Sequence, residues 1–301
     1  MKLGLIGVGG MGRPMAERLL AAGHQLTVWS RRPDAADALL ALGARRAASL
    51  QELAACCEMV CTNVTGSADV VGLTAPLLEG LAADAIHVDF STIAPSVARA
   101  IAAAYEARAR HFVDAPVSGG TAGAQAATLA IMWGGKAALA ERLDPIFRCL
   151  GKTIVRVGDA GAGQVAKACN QLVMVAAIEA CAEAARFAEA AGIDFARVRT
   201  ATLGGSAGSR VLEFFGGKMA ARDFAAGVEA RLHHKDFAML MAEATRQAVP
   251  LPVASAVMQQ LDALIAAGWG TQDTSRLLAV LERSGGSPVA SNSGRSAINE
   301  G

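Results

Sequence analysis

The first twelve residues, Met1-Lys2-Leu3-Gly4-Leu5-Ile6-Gly7-Val8-Gly9-Gly10-Met11-Gly12, decide how the rest of the chain is read. Residues 2–6 form a short apolar run, the pattern of a strand covered on both faces. Gly7 to Gly12 then reads G-x-G-x-x-G, and an Ala/Leu-rich run with helical spacing follows over 11–22. In a chain with 32 glycines such a string alone says little. Between a strand and a helix it has a mechanism. Gly7 permits the tight turn, Gly9 lets the backbone approach a pyrophosphate, and Gly12 allows close helix–strand packing. The helix N-terminus adds free N–H groups and the positive end of its dipole. Residues Gly7, Val8, Gly9, Gly10, Met11 and Gly12 are therefore expected to cradle a dinucleotide. An ordinary strand–helix turn is the competing reading.

Working outward, further strands are expected at 25–29, 59–62, 86–89, 112–114, 129–133 and 153–156. Helices are expected at 33–42, 49–55, 67–78, 95–108 and 136–149. This alternation predicts a doubly wound parallel sheet, an α/β Rossmann domain over residues 1–160. From Gln164 to Ala191 there is neither Gly nor Pro. That stretch reads as one helix of roughly 40 Å at the standard rise per residue. Helix-like runs follow at 194–203, 206–214, 228–248, 251–267 and 273–283, with no convincing strand. The expected fold class is thus a Rossmann N-terminal domain and an all-α C-terminal domain, 161–290, joined by a long interdomain helix. The segment 291–301 is expected to be a flexible tail.

Composition narrows the class of function. Of 301 residues, 53% are apolar and 18% charged, and the net charge is +1. No strong field points to nucleic acid or an anionic membrane, so neither is expected as a partner. The N-terminal strand runs directly into the Gly turn, so no signal peptide is expected. The charge-free stretch from Ala115 to Gly135 is broken by glycines and is a poor membrane span. Six cysteines, none in a Cys-x-x-Cys pair, fit a reducing compartment, and a cytoplasmic location is expected. The sequon at Asn63 is accordingly read as chance.

Three further segments carry chemistry. The second strand ends at Ser30-Arg31-Arg32. An NAD-preferring site commonly has an acid about 20 residues after the glycines, to bind the ribose 2′-OH. None stands there, and Ser30, Arg31 and Arg32 would suit a 2′-phosphate instead. NADP is the expected cofactor, with NAD possible; two solvated surface arginines are the alternative. Lys167 lies early in the long helix, with Asn170 at i+3 and Gln171 at i+4 on its face. A desolvated amine there would have a lowered pKa, useful for proton transfer near neutrality, although most lysines are simply solvated. Asp114-Ala115-Pro116-Val117-Ser118-Gly119-Gly120 follows an apolar run, at a strand's carboxyl end. Ser118 and the unobstructed N–H groups of Gly119 and Gly120 can hold a carboxylate, or form no more than a turn.

Taken together these segments resemble the β-hydroxyacid dehydrogenase family, over about residues 1–285. Gly7 to Gly12 with Met15-Ala16 is similar to its N-terminal fingerprint. Asp89-Phe90-Ser91-Thr92-Ile93-Ala94-Pro95 is similar to its strand-end motif, Asp114 to Gly120 to its substrate motif, Gly163 to Asn170 to its lysine motif, and Lys235-Asp236 to its late Lys-Asp pair. The resemblance implies Lys167 as the catalytic residue, and Ser118, Gly119, Gly120, Asn170 and Gln171 as substrate contacts. It places Thr92 near the nicotinamide and Lys235 at the cofactor site. Gln171 departs from the family's usual Asn, which puts substrate size or proficiency in question. Thr62-Asn63-Val64-Thr65 departs from the commoner Leu-Pro version, leaving backbone contacts from Val64 and Thr65 to the cofactor.

The resemblance further implies hydride transfer between NADP(H) and a short β-hydroxy acid or its semialdehyde, in a cleft between domains of a homodimer or homotetramer. An imine or other carbonyl reductase on the same scaffold, or a non-enzymatic dinucleotide-binding module, remains the alternative. No metal site is expected: His233 and His234 are adjacent and point to different sides of a helix. Cys56, Cys57 and Cys61 read as buried packing.

Overall fold

The computed structural model describes residues 1–284, so the expected tail at 291–301 lies outside the described residues. The opening strand β1 (Lys2–Ile6) is central in a nine-stranded sheet with β2 (Gln25–Trp29), β3 (Arg45–Arg46), β4 (Met59–Thr62), β5 (Ile86–Asp89), β6 (His111–Asp114), β7 (Val117–Ser118), β8 (Leu129–Gly134) and β9 (Gly151–Gly158). The helices between them are α1 (Gly12–Ala21), α2 (Asp37–Ala41), α3 (Leu50–Ala55), α4 (Ser67–Gly80), α5 (Pro95–Glu106), α6 (Gly120–Ala126) and α7 (Ala140–Leu150). The strand order begins β3-β2-β1-β4-β5-β6, all parallel, which is the dinucleotide-binding order.

The register matters for function. Ile6 pairs with Thr62, Thr62 with Asp89, and Asp89 with Asp114. The loops beginning at Gly7, Asn63, Phe90 and Ala115 therefore leave one edge of the sheet side by side. Strand side chains alternate between two cores. Leu3, Leu5, Val28, Cys61 and Val88 face one; Ile6, Val60 and Phe112 face the other, where Tyr105 of α5 packs with them. A strand buried on both faces needs the near-continuous apolar sequence that betrayed it.

The expectation of a purely parallel sheet is corrected. β8 runs antiparallel to both β6 and β7, and β9 is parallel to β8. The cause is the short connection. α6 has seven residues, too few to carry the chain back across the sheet to the starting edge, so the strand after it returns in the opposite direction. β3, β7 and α6 are not among the expected elements, and the helix expected at 33–42 is a 3-10 turn (Pro33–Ala36) followed by α2.

Beyond the sheet come α8 (Ala162–Ala190), α9 (Phe195–Leu203), α10 (Arg210–Ala221), α11 (Ala230–Arg246), α12 (Pro252–Ala266) and α13 (Leu277–Ser284). The run expected at 206–214 begins later because Ser209 caps α10, accepting from Leu212 N at 3.1 Å. Likewise Asp194 caps α9, accepting from Ala196 N. α8 is the one described helix long and apolar enough to cross a membrane by length and composition.

By contacts the chain groups into two units. One holds Met1–Leu172 with Lys235–Leu251; the other holds Val173–His234 and the chain from Pro252. The division differs from the sequence division at 160. The first turns of α8 and most of α11 belong with the sheet, and specific bonds explain it. Asp114 accepts from Gly161 N at 2.7 Å and Gln164 N at 2.9 Å, capping α8 from the end of β6. Arg99 on α5 pairs with Glu243 on α11 at 3.2 Å. The second unit is helical, with Val175, Ile178, Phe215, Met219, Leu261 and Leu277 buried.

Candidate active site

At the β1–α1 turn each glycine has a distinct physical reason. Gly7 has φ +92°, and a Cβ there would strike the Asn63 carbonyl; a Cβ on Gly12 would strike the Gly7 carbonyl. Gly9 and Gly10, by contrast, have open space where a side chain would be. Met11 caps α1 with no side-chain hydrogen bond, and the first turn carries no acid. An exposed, unobstructed backbone at a helix N-terminus fits the pyrophosphate of a dinucleotide.

After β2, Ser30 Oγ accepts from Arg32 N at 3.3 Å. Arg31 is exposed and pairs with Asp69 at 3.2 Å, so it is not wholly free for a phosphate. Arg32 is exposed and has no ion pair among the described residues. Val64 N donates to Ser91 Oγ at 2.8 Å, which ties the loop after β4 to the loop after β5, while Thr65 is exposed.

Beneath these loops a hydrogen-bonded string crosses β4 and β5. Thr62 Oγ1 donates to Asp89 Oδ1 (2.7 Å), so its hydroxyl must accept from His87 Nε2 (2.9 Å). His87 Nδ1 is then the acceptor for the Tyr105 hydroxyl at 2.8 Å. Burial holds His87 neutral, its pKa pushed down to about 3. Burial raises Asp89 to about 6, partly offset by its bonds from Ser91 and Thr62. Asp114 is likewise raised by burial, to about 7, against the two α8 amides that it accepts.

Gln164, one turn before Lys167, bridges the 91–93 loop to α8. Its Oε1 accepts from Ile93 N at 3.0 Å and its Nε2 donates to the Ser91 carbonyl at 2.8 Å. Sequence reasoning placed Asp114 and Asp236 within motifs without giving either a role, and it gave Gln164 none. The available signal was polar side chains at the ends of otherwise apolar elements.

Lys167 is buried, 8% exposed, and makes no hydrogen bond or ion pair with the described residues. Desolvation lowers its pKa; the negative charge of Asp236 opposes that, and Lys235 adds to it. Asn170 Nδ2 donates to Gln171 Oε1 at 3.0 Å, and Gln171 Nε2 donates to Asp236 Oδ2 at 2.6 Å. Lys235 Nζ donates to the Thr92 carbonyl at 3.1 Å and lies 2.9 Å from Asp236 Oδ1. A crevice in the same unit is lined by Thr92, Ile93, Gln164, Ala168, Gln171 and Asp236, among others; Lys167 and Ser118 do not line it. Ser118 is half-buried at the end of β7. Gly119 (φ +133°) and Gly120 (φ +62°) both adopt backbone conformations that favour glycine.

Other candidates are accounted for structurally. His233 Nδ1 bonds Thr274 at 2.7 Å and His234 Nε2 bonds Asp262 at 2.8 Å. Cys57 and Cys61 are buried as expected, but Cys56 is exposed at the C-cap of α3, a correction to its reading as packing.

A profile described as the NAD binding domain of 6-phosphogluconate dehydrogenase matches residues 2–158. A second, described as NAD-binding of NADP-dependent 3-hydroxyisobutyrate dehydrogenase, matches 161–281. The chain belongs to the β-hydroxyacid dehydrogenase family, which includes 3-hydroxyisobutyrate dehydrogenase. The 2-hydroxy-3-oxopropionate reductase of Escherichia coli is 40% identical, over 94% of this chain and 97% of that protein. The NAD-dependent L-serine dehydrogenase of Pseudomonas aeruginosa is 36% identical, over 91% of this chain and 95% of its own. The structure of Mycobacterium tuberculosis 3-hydroxyisobutyrate dehydrogenase with L-serine superposes with a TM-score of 0.87 at 30% identity, covering 93% of this chain and 98% of its own. Like these β-hydroxyacid dehydrogenases, this chain is an NAD(P)-dependent oxidoreductase acting on CH–OH groups.

Proposed function

We propose that the protein interconverts a short β-hydroxy acid and its semialdehyde with NADP(H), Lys167 serving as general acid in reduction and general base in oxidation. The observation that carries this reading is the buried Lys167 side chain on the first turns of α8, whose amine makes no hydrogen bond or ion pair with the described residues. A buried amine without a partner is costly, and a proton-transfer role explains its retention. The Gly7–Gly12 turn would hold a dinucleotide that, when bound, would supply or accept the hydride. Lys167 hydrogen-bonds the reacting oxygen, giving it a proton in reduction and taking one in oxidation. Ser118 with the Gly119 and Gly120 amides holds the carboxylate, and the Asn170–Gln171 amide pair borders the substrate. Thr92 and Lys235 fix the cofactor-facing loop; Val64 and Thr65 contact the cofactor through their backbone.

NADP is favoured because β2 ends in Ser30-Arg31-Arg32 with no acid for a ribose 2′-OH. Arg32 is the principal phosphate ligand in this reading, since Asp69 competes for Arg31. A second copy of the chain is the expected partner. Val173 (71% exposed) and Phe187 (80% exposed) leave apolar surface in water on one side of α8. Six unpaired cysteines favour a reducing, cytoplasmic setting.

The test is oxidation of NADPH and of NADH against glyoxylate and the tartronate, succinic and methylmalonate semialdehydes, with wild type and Lys167→Ala. Wild type should turn over at least one aldehyde with NADPH preferred. Lys167→Ala should bind NADPH normally and lose about 10²–10⁴-fold in kcat. Undiminished turnover in that variant refutes the acid–base assignment; a clear NADH preference refutes the phosphate-binding assignment.

A further inference from the structure

Asp236 is bound from two sides. Gln171 on α8 donates to its Oδ2 at 2.6 Å, and the Lys235 ammonium stands 2.9 Å from its Oδ1. Oδ1 is buried and accepts no hydrogen bond; Lys235 meets it as an ion pair while donating to the Thr92 carbonyl. A buried carboxylate oxygen without a hydrogen bond costs free energy comparable to a lost bond. Gln171, which bonds this carboxylate, lies one turn after Lys167 on the same face of α8. Their placement is fixed by neighbours: Ser67 and Arg99 engage Met239 and Glu243 on α11, while Asp114 and Gln164 hold the start of α8.

We propose that Asp236 is a positioning residue for the reaction, clamping Gln171 and Lys235 and presenting to Lys167 the negative charge that keeps its ammonium form available as proton donor. The proposal rests on the acid–base role of Lys167. The charges that face the pair are few. Asp236 attracts the Lys167 proton, Lys235 repels it, and Asp89, from the end of β5, acts on Lys235 in turn. Loss of Asp236 leaves the desolvated amine opposed only by a like charge, so it releases its proton at lower pH. Reduction needs the ammonium and oxidation the free amine. The change therefore impairs reduction at alkaline pH and favours oxidation there.

The experiment is the kcat–pH profile for NADPH-dependent reduction of tartronate semialdehyde, or of the best member of the aldehyde panel, by wild type, Asp236→Asn, Asp236→Glu and Lys235→Met. Asp236→Asn should move the alkaline limb down by about one pH unit, which reads as about a tenfold loss above the limb and little change below it. Asp236→Glu should return the limb toward wild type, and Lys235→Met should move it up. The second readout uses no turnover: the pH dependence of Lys167 acetylation by acetic anhydride, followed by peptide mass spectrometry, should shift in the same directions. A uniform loss of kcat in Asp236→Asn with limb and acetylation midpoint unmoved overturns the proposal. So does a Lys235→Met limb that moves down, should the Asn variant not fold. Failure of the underlying reading looks different, since Lys167→Ala would then keep its turnover whatever Asp236 does.

Discussion

The string from Tyr105 to Asp89 and the Lys167 amine are both buried polar chemistry near the carboxyl edge of one sheet, yet they are built on opposite principles. In the string, Tyr105, His87 and Thr62 each pass a hydrogen to the next acceptor, and one tautomer of His87 satisfies the chain. Such a network rigidifies its surroundings and fixes a unique core. Lys167 makes no hydrogen bond or ion pair with the described residues, and desolvation lowers its pKa. One region gives up reactivity for order; the other gives up stability for reactivity.

That contrast can be broken most sharply at Lys167 itself. Lys167→Met should abolish turnover by about 10²–10⁴-fold while stabilising the fold by about 1 kcal/mol, a gain in Tm by calorimetry. A loss of Tm would mean the amine has a structural partner after all. Next in size is Gly163→Ala, where a Cβ would sit 2.6 Å from the Met132 carbonyl and 2.8 Å from that of Asp114, both backbone. Overpacking at that rigid spot should cost about 3 kcal/mol in urea unfolding and displace the start of α8. Thr62→Val strips a donor from Asp89 and an acceptor from His87, and should cost about 2 kcal/mol with modest change in kcat. The same method applied to both regions would then give opposite signs for Thr62→Val and Lys167→Met.

The effect that is smallest over any single step of measurement is a slope in pH. Asp89 is raised to about 6 from its ordinary value of 3.8. Between those values the folded chain retains a proton that the unfolded chain has released. Its contribution to stability is thus present at low pH and is lost as pH rises through about 6. His87, pushed down to about 3 from 6.5, acts in the opposite sense: its contribution is lost as pH falls below 6.5. The two offset each other across the interval they share. Asp89→Asn removes one side of that balance. Relative to wild type, its stability should improve by up to about 1.4 kcal/mol per pH unit as pH rises from 4 to 6. Parallel pH–stability curves would show that Asp89 is not titrating there.

Sequence sufficed where the cause was local. Gly12 sits five residues from the Gly7 carbonyl that excludes a side chain there, Gly7 has its φ of +92° within its own turn, and the Gly- and Pro-free stretch after Gly163 marks α8 without further help. It failed where the cause was distant or small. Nothing near Lys167 announces Asp236, 69 positions later, nor that Asp114 caps α8 across 47 residues. β3 has two residues and is an edge strand, so no periodicity exists to detect. The reversal at β8 follows from the length of α6, which the glycines of 119–123 disguised as loop. Gln171, expected as a substrate contact, also donates to Asp236, a bond that no local pattern announces.

The open space over Gly9 and Gly10 separates two demands that a shared motif hides. Substitutions at Gly7 and Gly12 must be rejected by the polypeptide alone, whatever it binds. An alanine at Gly9 meets nothing among the described residues, so a penalty there is expected to come from the ligand. A library of variants across these positions, sorted once for soluble expression and once for dinucleotide retention, should divide the motif in two. One pair of glycines would be kept by folding and the other by cofactor, and the tolerated changes at the second pair would map how closely the nucleotide's phosphates press on the backbone.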